Sequence, residues 1–97
     1  MARPALLNEV ELAQHLKDIL LWRHEGATIV REIATSNFAA AIGLVNAIAL
    51  LAEKADHHPD WSNAYNKVSI RLTSHDSGGI TDLDFQLAEK IDKLAQK

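Results

Sequence analysis

Acid–base side chains concentrate in one short segment of the chain, Glu53-Lys-Ala-Asp-His-His-Pro-Asp-Trp61. Its adjacent histidines, His57 and His58, are followed by His75 at the end of a strand-like run, so three of the five histidines lie between residues 57 and 75. An imidazole has an ordinary pKa of about 6.5 and can give or take a proton near neutral pH. A packed core does not account for such a cluster, and the segment therefore indicates a shared chemical role.

Four roles are open for these histidines. They can act as general acids and bases in a pocket, which contributes roughly 10²–10⁴-fold to a rate. Three histidines can also hold a catalytic zinc with an open position, but adjacent histidines diverge and the helical spacing of four is absent, so no metal is predicted. A single histidine at a helix end can cap carbonyl groups and favour the dipole. The last role, that of unrelated surface residues, suits His15 and His24.

The spacing of the segment predicts how its side chains meet. Glu53 and His57 are four residues apart and share a helix face if the last turn holds. His58 precedes a proline that stops the helix, so its direction is free of helical geometry. His75 can approach the same helix end if the preceding strand runs back along the helix. Three imidazoles would then face one concavity, with Asp56 or Glu53 orienting one of them.

Two aromatic residues follow the histidines. Trp61 and Tyr65 could wall a site that stacks a flat heteroaromatic ring, or could belong to the core or to an interface. The residues alone leave both roles open.

The composition predicts one soluble domain over residues 1–97. Cysteine is absent, which excludes disulfides, thiolate catalysis and cysteine zinc sites. The formal charge is −3 and the ten Lys and Arg residues are scattered, which argues against a nucleic-acid partner. The N-terminus lacks the apolar core of a signal peptide. The longest apolar stretch, Phe38 to Ala52, is shorter than the roughly 20 residues that span a membrane, so we expect a cytoplasmic protein without a membrane partner.

The first third of the chain predicts a helix and two strands. Its helix shows apolar residues three and four apart, with Asn8 and Glu11 as a capping box. Ile19 to His24 indicates a short strand, Glu25-Gly26 a hairpin turn, and residues 27–34 a second strand rich in β-branched side chains. The apolar positions of the helix are Val10, Ala13, Leu16 and Leu20.

The segment from Phe38 to Asp56 predicts a long helix that is apolar on nearly all sides in its first four turns. One side could meet another subunit. Alternatively, the helix could lie centrally under a curved sheet, with Ala41 and Gly43 easing close packing. Both interpretations stay open.

The remainder predicts two strands and a helix. Trp61 to Tyr65 indicates a strand, Asn66-Lys67 a turn, and residues 68–72 a strand with clean apolar alternation. After the loop at residues 75–79, Thr81 caps a last helix with acids in its first turn. The order α-β-β-α-β-β-α predicts an α+β fold: a four-stranded antiparallel sheet with three helices packed on one face.

Two runs of the sequence resemble the signature of pterin-4a-carbinolamine dehydratases. They are Ala52-Glu-Lys-Ala-Asp-His-His-Pro-Asp-Trp-Ser-Asn-Ala-Tyr-Asn-Lys-Val68 and Leu72-Thr-Ser-His-Asp-Ser-Gly-Gly-Ile-Thr-Asp-Leu-Asp84. The resemblance implies a 4a-hydroxytetrahydrobiopterin dehydratase of pterin recycling, which forms quinonoid dihydropterin and water without metal or organic cofactor. It also implies a homodimer or homotetramer, with an aromatic amino acid hydroxylase in the same pathway. A non-catalytic coactivator or assembly factor on the same fold is the alternative.

The resemblance also implies site residues. His57 and His75 match the acid–base histidines of the family, and His58 matches one that holds and polarises the pterin. An acid in a first helical turn, such as Asp84, also has an explanation without substrate. Positions in or beside the substrate pocket are matched by Glu53, Asp56, Trp61 and Asp84.

Overall fold

The computed structural model describes residues 4–96 and has the predicted α+β order. The four strands form one antiparallel sheet in the order β1-β2-β4-β3, which confirms the predicted fold class. The elements are α1 (Glu9–Leu16), β1 (Arg23–Glu25), β2 (Thr28–Ala34), α2 (Phe38–Ala55), β3 (Asp60–Ala64), β4 (Lys67–Leu72), a 3₁₀ turn (His75–Ser77) and α3 (Asp82–Ala95).

The core lies between one face of the sheet and the helices. In the register of β2 and β4, Ile29 pairs with Leu72 and Ile33 pairs with Val68, so their side chains share the helix-facing side. All four are buried in one cluster with residues of α2 and α3. The alternation predicted for residues 68–72 is therefore confirmed.

The segment predicted as the first strand is mostly a turn. Ile19 and Trp22 are buried, but the strand itself covers only Arg23–Glu25. Their apolar character reflects packing on the core rather than strand pairing. The Trp22 indole donates a 2.8 Å hydrogen bond to Asp92 of α3, which also accepts from Arg31.

The first helix is shorter than predicted, although its capping box between Asn8 and Glu11 is confirmed. It ends at Leu16, and the side chains of Val10 and Leu20 are exposed. The helix packs on the core through Leu12 and Leu16 instead. The predicted apolar stripe was wrong because Val10 and Ala13 lie on the solvent side of the helix and Leu20 lies beyond its end.

The turn between β3 and β4 lies one residue earlier than predicted. Tyr65 and Asn66 form it, and Tyr65 adopts a left-handed conformation with φ 53°. Its ring is exposed, so Tyr65 is not a core residue in the single chain.

α2 is the most apolar helix and is covered on one side only. Ala41, Ile48 and Ala52 are buried, whereas Phe38 and Leu50 are exposed. By length and composition alone α2 could cross a membrane, with a mean hydropathy of 1.6. That test does not separate a membrane span from the central helix of a globular domain. The single chain thus leaves an apolar face of α2 open.

Candidate active site

The three clustered histidines line one cavity of about 230 Å³ at the C-terminal end of α2. Asp56 lines it as well, so the structure brings together four of the seven predicted site residues. The lining residues are Pro4, Asp56, His57, His58, Thr73, Ser74, His75, Asp76 and Leu83.

A left-handed turn at the end of α2 directs His57 and His58 toward the cavity. Asp56 has φ 52° and ψ 42°, and its N–H donates to Glu53 O while the His57 N–H donates to Ala52 O. This bond pair is a Schellman motif, which satisfies the last carbonyl groups of a helix. The left-handed Asp56 therefore ends the helix at Ala55. The sequence analysis had predicted that Pro59 ends it.

The second half of the site comes from the end of β4. The strand ends at Leu72, and His75 begins the 3₁₀ turn that Gly78 closes with φ 77°. Ser74 fixes this turn, because its N–H donates to Gly79 O and its carbonyl accepts from Ser77 and Gly78. The expected approach of His75 to the end of the long helix is what the structure has.

The N-terminal segment forms a further wall. Pro4 lines the cavity, and its carbonyl accepts a hydrogen bond from the Ser77 hydroxyl. The Leu7 N–H donates to Ile80 O at 3.1 Å, which ties the segment to the same loop.

Asp84 lies behind His57 and is completely buried. Its Oδ1 is 2.6 Å from Nε2 of His57, whose side chain is 11% exposed. Its Oδ2 accepts from the Ser74 hydroxyl and from the Thr81 N–H, each at 2.9 Å. A carboxylate only accepts, so a hydrogen on Nε2 would let His57 donate to it and would leave Nδ1 free to accept a proton.

Glu53 reaches the site through His58 rather than by lining the cavity. Its Oε1 is 2.8 Å from Nε2 of His58, and the two side chains are 80% and 58% exposed. Exposed pairs of this kind contribute about 0–1 kcal/mol. The contact orients His58 without locking it.

Trp61 is not among the residues that line the cavity. It pairs with Ile70 across β3 and β4, so its indole lies on the helix-facing side of the edge strand and is 44% exposed. The single chain therefore does not bring Trp61 to the histidines.

The sequence analysis missed Ser74 and Thr81 as parts of the site. Ser74 is 3% exposed and Thr81 is completely buried, with their hydroxyl oxygens 2.7 Å apart. Thr81 carried a helix-cap signal, and Ser74 stands beside His75, but neither pattern reveals that both hydroxyls are buried beside Asp84. Within residues 4–96, no three His, Cys, Asp or Glu side chains are arranged to hold a metal ion.

Comparison with known sequences gives one consistent result. A family model described as Pterin 4 alpha carbinolamine dehydratase matches residues 5–94. A protein of Prochlorococcus marinus (strain NATL2A), named "Putative pterin-4-alpha-carbinolamine dehydratase", is 48% identical over 90 residues, which are 93% of this chain and 95% of that protein. A protein of the same name from Metallosphaera sedula is 42% identical over 88 residues, covering 91% and 92% of the two chains.

Two solved structures are similar to the fold. A crystal structure described as transcriptional coactivator/pterin dehydratase from Brucella melitensis has a TM-score of 0.90 and 36% identity, covering 98% of this chain and all of that one. A pterin dehydratase-like protein identified as a RuBisCO assembly factor in the alpha-carboxysome has a TM-score of 0.67. Its identity of 24%, over 78% of this chain and 90% of that one, shows a shared fold alone.

Proposed function

Because the chain belongs to the pterin 4 alpha carbinolamine dehydratase family, we propose that it is a 4a-hydroxytetrahydrobiopterin dehydratase. The reaction removes water from the 4a-carbinolamine and leaves quinonoid dihydropterin for recycling. The observation that carries the proposal is the meeting of His57, His58 and His75 around one cavity.

The dehydration needs two proton transfers and no change of oxidation state. The C4a–O bond breaks while the lone pair of the neighbouring ring nitrogen forms a double bond to C4a. The hydroxyl takes a proton from an acid and leaves as water, and the ring nitrogen loses its proton to a base. Atoms and electrons balance without a redox partner, and the family resemblance implies no metal or organic cofactor.

His57 and His75 are the proposed proton carriers, since both line the cavity and come from different elements. The buried Asp84 is hydrogen-bonded to Nε2 of His57, so His57 is proposed to exchange its proton with the substrate at Nδ1. General acid–base catalysis of this kind contributes roughly 10²–10⁴-fold.

The other predicted residues take different proposed roles. His58 and Asp56 line the cavity and are proposed to hold the pterin, with Glu53 orienting His58. Asp84 is proposed to act through His57 rather than on substrate. Trp61 stays a predicted pocket residue, with no contact to the cavity to support it.

Turnover of chemically generated 4a-hydroxytetrahydropterin tests the proposal. His57→Ala and His75→Ala are each expected to lower kcat roughly 10²-fold or more. His24→Ala is the matched control, because His24 contacts the carbonyl of Gly26 in the β1–β2 turn. Unchanged rates in both site variants would contradict the assignment. Stoichiometric zinc in the purified active protein would favour a metal-dependent hydrolase instead.

A second candidate function is a non-catalytic coactivator or assembly factor. The open apolar face of α2 favours it, and the Brucella melitensis relative is described as both coactivator and dehydratase. Capture of a stable partner together with undetectable dehydration would support this function over catalysis.

We propose further that the chain assembles as a homodimer or homotetramer through α2. Phe38, Ile42 and Leu50 are the large apolar side chains that α2 exposes in the single chain. On the same family grounds we propose that the protein is located in the cytoplasm. We also propose that it acts in one pathway with an aromatic amino acid hydroxylase.

A further inference from the structure

A buried hydrogen-bond chain ends on the carboxylate that contacts His57. Asp84 Oδ2 accepts from the Ser74 hydroxyl and the Thr81 N–H, and Asp84 Oδ1 contacts Nε2 of His57. Thr81 is as completely buried as Asp84, and Ser74 is 3% exposed. Solvent does not compete with these bonds, so each hydrogen takes a fixed direction.

The donors can be assigned one after another. A carboxylate only accepts, so the one hydroxyl hydrogen of Ser74 goes to Asp84 Oδ2 at 2.9 Å. The 2.7 Å contact between Ser74 and Thr81 must then be donated by Thr81. The Thr81 oxygen in turn accepts from the Leu83 N–H at 3.2 Å. Every donor in the chain points toward Asp84.

We infer that Ser74 is a positioning residue for the proposed proton transfer, on which this inference rests. Its hydroxyl and the Thr81 N–H both donate to Oδ2, which fixes the carboxylate with Oδ1 toward His57. An ionised Asp84 can only accept at Oδ1, so His57 carries its hydrogen on Nε2. Without the Ser74 hydroxyl, the Thr81 N–H alone holds Oδ2, so the carboxylate can turn away from Nε2. The hydrogen of His57 is then free to move to Nδ1, the nitrogen that must be free to act as a base.

Ser74 also couples the two halves of the site. It precedes His75 directly. The Ser74 N–H donates to Gly79 O and the Gly79 N–H donates to Ser74 O, and these two bonds hold the 3₁₀ turn. Its side chain joins that turn to the first turn of α3. Ser74 therefore fixes the position of His75 relative to the carboxylate that orients His57.

The test compares Ser74→Ala with Ser74→Thr. Threonine keeps the hydroxyl and suits the extended backbone at position 74, where φ is −100° and ψ is 95°. Thr35→Ala is the control, since it removes a part-buried hydroxyl bond to Asn66 O at the opposite end of β4 from His75. The readouts are ring ¹⁵N signals of His57 in the free protein, and kcat and KM for the 4a-hydroxytetrahydropterin.

Ser74→Ala is expected to shift His57 toward the form with hydrogen on Nδ1 and to lower kcat roughly 10-fold with little change in KM. Ser74→Thr is expected to restore both values, and Thr35→Ala to change neither. An Nε2–H ring and a wild-type kcat in folded Ser74→Ala would overturn the inference.

The wild-type ring signals test the inference even if Ser74→Ala does not fold, because a neutral His57 with hydrogen on Nδ1 would overturn it. Absence of pterin turnover in the wild type would refute the proposed function instead. A tautomer shift in Ser74→Ala would still support the positioning role in that case.

Discussion

His57 and Asp84 are 27 positions apart in the sequence, and their side chains meet at 2.6 Å between Nε2 and Oδ1. The contact joins the end of α2 to the first turn of α3. Asp84 serves the capping box of α3 at the same time, since its Oδ2 accepts from the Thr81 N–H. One carboxylate thus links the stability of a helix start to the orientation of a proposed proton carrier.

We expect Asp84→Asn to lower kcat roughly 10²-fold, because an amide can donate to Nε2 and favour the wrong tautomer of His57. Steady-state kinetics with the 4a-carbinolamine measure the effect. Asp82→Asn is the matched control, since Asp82 lies in the same helical turn but pairs with His15 on the surface. Equal activity of the two variants would contradict the role of Asp84.

The Glu53–His58 contact is expected to matter little by itself. Both side chains are exposed, and a pair of this kind contributes below about 1 kcal/mol. Glu53→Gln should therefore change KM less than His58→Ala does, with kcat nearly constant in both. A large fall in kcat for Glu53→Gln would instead assign Glu53 a direct part in the reaction.

Assembly through α2 predicts that Leu50→Glu yields a monomer. Leu50 is 74% exposed in the single chain, so the charge does not disturb its core, but it would be buried in an α2 interface. Light scattering after size exclusion measures the mass. Leu20→Glu serves as the control, because Leu20 is 83% exposed outside α2. Identical masses for wild type and Leu50→Glu would refute this interface.

Asp92→Ala is expected to lower the free energy of unfolding by about 2 kcal/mol. It leaves the largely buried Arg31 guanidinium without its ion-pair partner and the Trp22 indole N–H without its acceptor. Urea denaturation measures the change. Glu89→Ala, on the exposed side of α3, should stay within about 0.5 kcal/mol of wild type, and a similarly small change for Asp92→Ala would contradict the prediction.

Substitution by alanine is expected to change the free energy of unfolding in opposite directions at two glycines. Gly78 has φ 77°, so Gly78→Ala is expected to cost about 1 kcal/mol and to lower activity by moving the turn that carries His75. Gly43 lies in α2 with no atom near the added Cβ, so Gly43→Ala should stabilise by roughly 0.5–1 kcal/mol. Denaturation in the Leu50→Glu background removes any contribution of assembly, and changes of the same sign would contradict this contrast.

Local patterns were enough to predict much of the fold. The alternation in β4 and the caps at Asn8 and Thr81 are local rules, and the structure has them. The strand predicted from Ile19 onward was wrong for Ile19 to Trp22, because burial in the core and burial in a strand give the same apolar pattern. The prediction that the strand runs to Tyr65 was wrong because a left-handed conformation at a bulky residue has no sequence signal.

The candidate site was predictable only in part. The clustering of His57, His58 and His75 in one cavity could be expected from the break after α2 and the direction of β4. The burial of Asp84 could not, because a first-turn acid has the same sequence signal whether it faces solvent or a histidine. Contacts such as Ser74 to Asp84 depend on how the β4 end meets α3, which no local pattern records.

The left-handed turn at Asp56 limits how the cavity can vary. Only glycine, asparagine and aspartate occupy such a conformation readily, so the wall of the cavity can lose one negative charge without a change of backbone. Asp56→Asn should therefore alter the affinity for charged pterins while the ring signals of His57 stay constant. The charge of this cavity can be tuned independently of its shape, whereas a β-branched residue at position 56 would alter both.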